Sequence, residues 1–374
     1  MTDVMILGGA RTPFAVWAKG ERPDGQKGGA LAALDPFDLG AAALKGALEK
    51  SGVPGDRLER LAFGNCYHVG PHACYGARYV GLRAGLPESL TGVTVNLACG
   101  AGLQALLSAA DDVADGRARL AAAVGADSSS NVPRNVFVPS FKDVSCGQNI
   151  AETAQAVARE LGFSRDEQDA WALRSHRRAA LARQKGWLAE EIVPTGGASA
   201  DDAIREQASE EFFAQSKRLY ETGDATHGNT HAIVDGGSAL VLAAPGQAAG
   251  RQVLGRYVGG AVAGVPPARM AEGSVAAIRK LLAQLKLSAA DVDLFEINET
   301  FASQMIIGVK ELGLDPEKVN PNGGALALGH PFAGTGGRLV LTLLKELKRR
   351  GCRRGVASIC VGAGLGIAAA VETV

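Results

Sequence analysis

Apolar and polar positions along the chain follow two rhythms: short continuous apolar runs, and longer stretches with helical spacing. Val4 to Leu7 predicts a short buried strand, followed by a turn over Gly8 to Phe14. Residues 15–35, rich in Gly, Lys and Asp, predict a surface loop. From Asp38 to Lys50 the apolar positions Leu39, Ala42, Ala43, Leu44, Ala47 and Leu48 lie on one helix face, and Ser51-Gly52 stops the helix. Leu61 to Asn65 predicts a strand and 72–86 a further helix. An apolar run from Val93 to Leu97 then reaches Cys99. Gly100 and Gly102 follow, with an Ala/Leu-rich helix to about Ala114, a stop at Gly116 and a strand from Leu120 to Gly125. From Asp127 to about His231 the character changes to a polar loop (127–149), a charged helical pair (150–186) and a polar stretch (199–228). This reads as an inserted subdomain. Ala239 to Ala243 predicts a strand returning to the core, and Gly246 to Gly250 a connector.

The second half repeats this grammar. Ser274 to Leu285 predicts a helix like 38–50, and Asp291 to Asn298 a strand like 56–65. Gly334 to Leu347 predicts a helix after a glycine-rich joint, as at 100–114, and Val356 to Val361 a strand like Leu120 to Val124. Duplication of a βαβ-like half is the simplest account. The expected domains are residues 1–250, carrying the insertion over about 127–232, and residues 251–374. Alternating strands and helices predict an α/β fold with mostly parallel sheets covered on both faces. In such folds sites gather where strands end and helices begin, and Cys99, Asn298, His330 and Cys360 all fall at such joints.

The chain has 374 residues, with 39 Lys plus Arg balancing 39 Asp plus Glu, so no global field draws it to nucleic acid or an anionic membrane. Apolar residues make up 47%, enough for a large core, and the 49 glycines cluster at the ends of apolar runs, as strand–helix joints require. Six cysteines, at 66, 74, 99, 146, 352 and 360, lack the spacing of a disulfide scaffold, so reduced thiols in a cytoplasmic protein are expected. No signal or transit segment, membrane span or peroxisomal C-terminal address is read.

The candidate chemistry lies in four segments. At the first, a strand–helix joint exposes Cys99 to free backbone amides and a helix dipole, which favour a thiolate nucleophile; the alternative is a small buried hydrophobe. The second is Glu296-Ile297-Asn298-Glu299-Thr300-Phe301-Ala302, and the third runs from Asn320 through Gly323-Gly324 to Gly329-His330-Pro331. The fourth is Cys360-Val361-Gly362-Ala363-Gly364. Together, and with Arg11-Thr12-Pro13-Phe14 and Ser164 to Asp169, they resemble the thiolase family over nearly the whole chain. The resemblance implies a layered α/β/α/β/α core with a loop subdomain. It also implies a CoA-dependent cleavage of 3-ketoacyl-CoA to acetyl-CoA and acyl-CoA, or the reverse Claisen condensation. Such a reaction needs an acyl-holding nucleophile, a base for the proton α to a carbonyl, and donors at a developing oxyanion. By resemblance Cys99 is acylated, His330 takes its proton and Cys360 moves the α proton. Asn298 with His330 places a water for one oxyanion hole, and the amides of Cys99 and Gly362 form the other. Phe301 walls the pantetheine tunnel. No metal or nucleotide cofactor is implied; CoA is a substrate, and a homodimer or homotetramer is expected.

The sequence also departs from that family. Asn149 and Ile150 stand where acetoacetyl-CoA thiolases carry a His-Met pair, and the loop before them is short. The expected acyl group is therefore longer or bulkier than acetoacetyl, with an acetoacetyl-specific enzyme as the alternative. His227 and His231 replace a small Ala and a Ser that contact pantetheine, which makes binding there displaced or pH-dependent. Arg218 is matched to a CoA-contacting arginine, with a solvated helix-face arginine as the alternative. Cys66, His68, His72 and Cys74 have residue types that suit zinc but no common zinc spacing, and no metal site is expected. Two rival readings stay open. A decarboxylating condensing enzyme would want a His in place of Cys360. A catalytically altered CoA- or lipid-binding scaffold would show no turnover.

Overall fold

The computed structural model describes residues 3–19, 28–221 and 223–374. The loop expected over 15–35 therefore falls partly outside the described residues. Within them Ala15–Val16 is a two-residue strand, and Leu31 and Ala32 are buried.

Ten strands are described: β1 (Val4–Arg11), β2 (Ala15–Val16), β3 (Arg60–Gly64), β4 (Thr91–Val95), β5 (Leu120–Asp127), β6 (Val234–Ala243), β7 (Gly255–Gly264), β8 (Leu294–Ile297), β9 (Arg354–Val361) and β10 (Leu365–Glu372). Their order is β4-β3-β5-β6-β1-β7-β10-β9-β8, with β2 against β6. Read outward from the β1/β7 seam, the two halves match. β1, β6, β5 and β3 on one side correspond to β7, β10, β9 and β8 on the other. The place of β4 is taken by an isolated parallel bridge from Phe295 to Val319. This symmetry is what a duplicated half produces.

Two sequence expectations are corrected. The sheet is mixed: β3 pairs parallel with β4 and β5, and β8 with β9, while the other pairings are antiparallel. For β9 and β10 the cause is connection length. Only Gly362 to Gly364 separate β9 from β10, and so short a link permits an antiparallel hairpin but no crossover. Second, Gly8 and Gly9 are not a turn. They continue β1 opposite Val241 and Leu240, and a Cβ on Gly9 would strike Leu240 and the backbone of Ala239.

Helices fill three layers. Pro36–Ser51 starts at an Asp35/Asp38 capping box and ends at Gly52, whose φ of 63° lies in the left-handed region. It packs Leu39, Leu44 and Leu48 against Phe63, Val124 and Val241, covering one outer face with Gly76–Arg83. Gly273–Leu285 and Ala302–Leu312 cover the other outer face. The middle layer is Ala101–Ala114 beside Gly334–Arg350, whose Leu103, Leu106, Leu339 and Leu343 share one core with Leu240, Ile359 and Ile367 from both halves. These two helices begin next to each other, and the site forms there.

Over this core lies the 127–232 segment, with helices Ile150–Glu160 and Arg165–Gln184. Arg11 at the end of β1 anchors it: its buried guanidinium meets Asp201 at 2.6 and 2.8 Å and Glu191 at 3.0 Å.

Candidate active site

Cys99 sits in an elbow between β4 and the helix beginning at Ala101. Gly100 N–H donates to Leu97 O at 2.8 Å and Ala101 N–H to Ala98 O at 3.0 Å, while Ala98 takes a left-handed φ of 42°. The Asn96 side chain braces the elbow, accepting from Ala98 N–H at 2.8 Å and donating to Cys66 O at 3.0 Å. Such strain in a non-glycine residue persists only where surrounding structure enforces it. Two further left-handed residues border the same place, Phe332 (φ 40°) after His330 and Ala363 (φ 63°) after Gly362. Asp127, buried at the end of β5, ties three turns together. It accepts from Asn65 Nδ2 at 2.7 Å, from the amides of Cys66 and Tyr67 at 3.1 Å and from Ala333 N–H at 2.9 Å. Burial still pushes its carboxyl up to about 7.

Cys99 is half-buried and lines a cavity of about 370 Å³ that also meets Cys360, Gly362, Thr300 and His231. The two thiols thus converge from sequence positions 261 residues apart (360 minus 99). One expectation is corrected: the resting Cys99 is a thiol, not a dipole-stabilised thiolate. Burial pushes it up to about 12, and the proximity of Cys360 and Asp127 adds to this. The amides of Cys99 and Gly362 oppose the rise without overcoming it. The helix begins only at Ala101, so its dipole reaches the sulfur weakly. Those same two amides face the Cys99 sulfur, where the resemblance placed an oxyanion hole. Cys360, at the end of β9, is buried, pushed up to about 11 by burial, and has its Sγ 3.3 Å from Thr300 Oγ1.

His330 and Asn298 lie just behind the cavity wall. His330 packs against two cavity residues, with ring centroids 5.3 Å from Phe332 and 5.1 Å from His231. Its Nδ1 is 2.5 Å from Thr335 Oγ1, and its buried Nε2 has no hydrogen-bond partner. Burial holds it well below the usual histidine range, so it is neutral. Asn298 is buried, with Nδ2 3.0 Å from Thr300 Oγ1 and Oδ1 unpartnered. Thr300, which the sequence reading left without a role, therefore joins Asn298 to Cys360.

A second cavity of about 420 Å³ adjoins the first, sharing Ile150, Phe141 and His231 in its lining. It is lined by Phe301, His227 and Asn149 among others, which brings together five of the six expected substrate-contacting residues. Asn149 also caps the helix Ile150–Glu160 in a capping box with Glu152. His231 is buried at the junction of the two cavities. Its Nδ1 lies 2.9 Å from the carbonyl of Thr300, which fixes the proton there and leaves Nε2 an unpartnered acceptor. Burial lowers its proton affinity. His227 stands exposed on the wall of the second cavity. Arg218 lines neither cavity; it is exposed and faces Asp224 at 3.7 Å. Arg205, which carried no motif signal, lines the second cavity and stacks on Phe212 at 4.5 Å. Cys66 and His68 belong to the cavity around Cys99, whereas His72 packs on Tyr79 and Cys74 is exposed. Among the described residues no three His, Cys, Asp or Glu side chains gather in a way that could hold a metal ion. Tyr67, Met270 and Phe332 also line the cavity around Cys99; Phe332 lies one residue beyond the motif that ends at Pro331, and Met270 carried no sequence signal.

Comparison with known proteins agrees with this geometry. The family model for the thiolase N-terminal domain matches residues 4–245, and that for the thiolase C-terminal domain matches 251–373. The chain is 36% identical to 3-ketoacyl-CoA thiolase of Bacillus subtilis (strain 168), with all of both chains covered. It is 38% identical to β-ketoadipyl-CoA thiolase of Pseudomonas putida, also over the full length of both. Among solved structures, human mitochondrial 3-ketoacyl-CoA thiolase in complex with CoA superposes with a TM-score of 0.94 at 31% identity, covering 100% of this chain and 98% of that one. With two thiols converging on one cavity inside a doubled α/β core, and both family domains matched end to end, this chain belongs to the thiolase family.

Proposed function

We propose that this protein cleaves a 3-ketoacyl-CoA with CoA to acetyl-CoA and a shortened acyl-CoA, or runs the reverse condensation, through an acyl-Cys99 intermediate. The observation that carries this reading is the presentation of both the Cys99 and Cys360 thiols to one cavity, backed by a neutral His330 whose Nε2 is unpartnered. With Nδ1 committed to Thr335, Nε2 of His330 takes the Cys99 proton as the sulfur attacks the 3-keto carbon. The amides of Cys99 and Gly362 stabilise the oxyanion. The bond between C2 and C3 breaks, its electron pair stays on C2, and the Cys360 thiol protonates that carbon to give acetyl-CoA. CoA then enters, gives its proton to the Cys360 thiolate and attacks the acyl-Cys99 thioester. The Cys99 sulfur leaves and recovers its proton from His330. Asn298 and His330 position the water at the enolate oxygen. Phe301 and His231 flank the pantetheine arm, and the unpartnered His231 Nε2 is an acceptor for one of its amide N–H groups.

Cys99→Ala is expected to abolish acyl transfer, leaving the circular dichroism spectrum and melting temperature near wild type. Near-wild-type thiolysis by that variant would remove Cys99 from the mechanism. The cavity around Cys99 supports an acyl group larger than acetoacetyl, so kcat/KM should rise along a chain-length series from acetoacetyl-CoA; a maximum at acetoacetyl-CoA would favour the acetoacetyl-specific alternative. We also propose a homo-oligomer, dimer or tetramer. The outer side of β4 is unpaired and largely exposed, and Val93, Tyr75 and Leu82 leave apolar surface in that region.

A further inference from the structure

One wall of the cavity around Cys99 is built from aromatic rings, with Val69, Val136, Ile150 and Met270 as its aliphatic lining. Phe137 is fully buried, and around it stand Tyr67 at 5.3 Å, Phe141 at 5.1 Å and Phe332 at 6.0 Å between ring centroids. Three of the contacts are nearly perpendicular: Tyr67 to Phe332 at 85°, Phe137 to Phe141 at 84° and Phe137 to Phe332 at 82°. Trp17, 5.2 Å from Phe137, extends the cluster to the lining of the second cavity. Tyr67, Phe141 and Phe332 line the cavity that holds Cys99.

Two details separate this from ordinary core packing. Phe332 holds a left-handed φ of 40°, a conformation costly for a bulky side chain, and its ring lies against both the cavity and His330. The polar atom of Tyr67 is already satisfied, since its Oη lies 2.8 Å from Ser140 Oγ. Tyr67 therefore offers hydrocarbon and a π system to the cavity rather than an unpaired hydroxyl. Edge-to-face arrays of this kind favour a further ring at centroid distances of about 4.5–7 Å over an aliphatic chain, because the ring quadrupoles add to burial. A rigid ring also surrenders less rotational freedom on binding than an alkyl tail.

We propose that the acyl subsite beyond Cys99 takes an aromatic ring, so that the substrate class is the 3-aryl-3-oxopropanoyl-CoA thioesters. This rests on the thiolase reading above and narrows its substrate. Cys99 forms a bond to the aryl ketone carbon, the bond between C2 and C3 breaks, and the pair on C2 takes the Cys360 proton. Acetyl-CoA leaves, and the ring-bearing acyl group stays on Cys99 until CoA removes it as aroyl-CoA.

The test compares 3-oxo-3-phenylpropanoyl-CoA with 3-oxooctanoyl-CoA, a linear substrate of similar bulk, by CoA-dependent kcat/KM on the full chain. Trapped benzoyl-Cys99 is read by mass spectrometry. The expected result is a preference for the aryl substrate of about tenfold or more, falling toward unity in Tyr67→Leu, as loss of an aromatic contact implies. If Tyr67→Leu does not fold, Phe141→Leu carries the same comparison. Efficient cleavage of the linear substrate with equal or weaker cleavage of the aryl one overturns the proposal while leaving the thiolase reading intact. No CoA-dependent cleavage of either substrate, nor of acetoacetyl-CoA, overturns the thiolase reading itself and this proposal with it.

Discussion

At Cys99 two electrostatic influences compete, and burial prevails over the backbone amides. The resting sulfur is protonated, with its proton affinity pushed up to about 12, and the neighbouring Cys360 is pushed up to about 11. Activation therefore waits for His330 to accept the proton when substrate arrives, and a neutral imidazole suits that task. Alkylation of resting Cys99 by iodoacetamide should be slow near neutral pH and keep rising with pH, without a plateau below about pH 10. A plateau near neutrality would show a standing thiolate. His231 follows the same logic on the binding side. Its donor nitrogen is committed to Thr300, so it offers one acceptor at the junction of the two cavities. The motif residues Cys99, His330 and Cys360 were legible in the sequence because each sits where a strand or turn meets a glycine-rich joint. The protonation of Cys99 was not, because desolvation depends on what the rest of the chain places around the sulfur.

At the scale of elements, the site depends on how closely two helices approach. A Cβ on Gly102, near the start of Ala101–Ala114, would run into the backbone carbonyl of Ala333, just before Gly334–Arg350. Gly102→Ala should therefore destabilise by about 1–3 kcal/mol, the usual cost of overpacking a tight contact, and lower the melting temperature. Because Ala333 also donates to Asp127, the same change should displace the His330 turn and lower kcat. An unchanged melting temperature would mean that the helices can part without cost. Helices such as 38–50, with its Ser51-Gly52 stop, and 274–285 were legible from spacing alone. The continuation of β1 through Gly8 and Gly9 was not, since glycine there reflects the closeness of Leu240 rather than a turn.

For the whole molecule, stability and assembly follow from buried charge and open edges. His176, His231 and His330 are buried with proton affinities lowered, His176 to about 4. Their unfolded forms bind protons below about pH 6.5, where the folded forms do not, so stability falls as pH drops through that range. Asp127 and Glu296 are raised, to about 7 and about 8, so their contribution is present at low pH and is lost as pH rises through those values. Melting temperature should accordingly peak between about pH 6 and 7 and fall on either side in a thermal-shift series. A monotonic rise to pH 9 would contradict the buried carboxyl assignments. Assembly is the second whole-molecule property. Val93→Lys on β4 should shift the protein toward monomer in light scattering if the unpaired edge is an interface, and an unchanged mass would place the contact elsewhere.

The sequence by itself determined the doubled strand–helix grammar, the residues of the two thiols and the imidazole, and the family, because periodicity, glycine stops and short motifs are local properties of a chain. The tertiary structure alone decided the antiparallel pairing of β6 with β5 and of β10 with β7, the junction role of His231 and Thr300, and the ring cluster of Tyr67, Phe137, Phe141 and Phe332. Each of these joins residues dozens to hundreds of positions apart. Burial, neighbour identity and distance exist only once the two halves have packed against their shared middle layer.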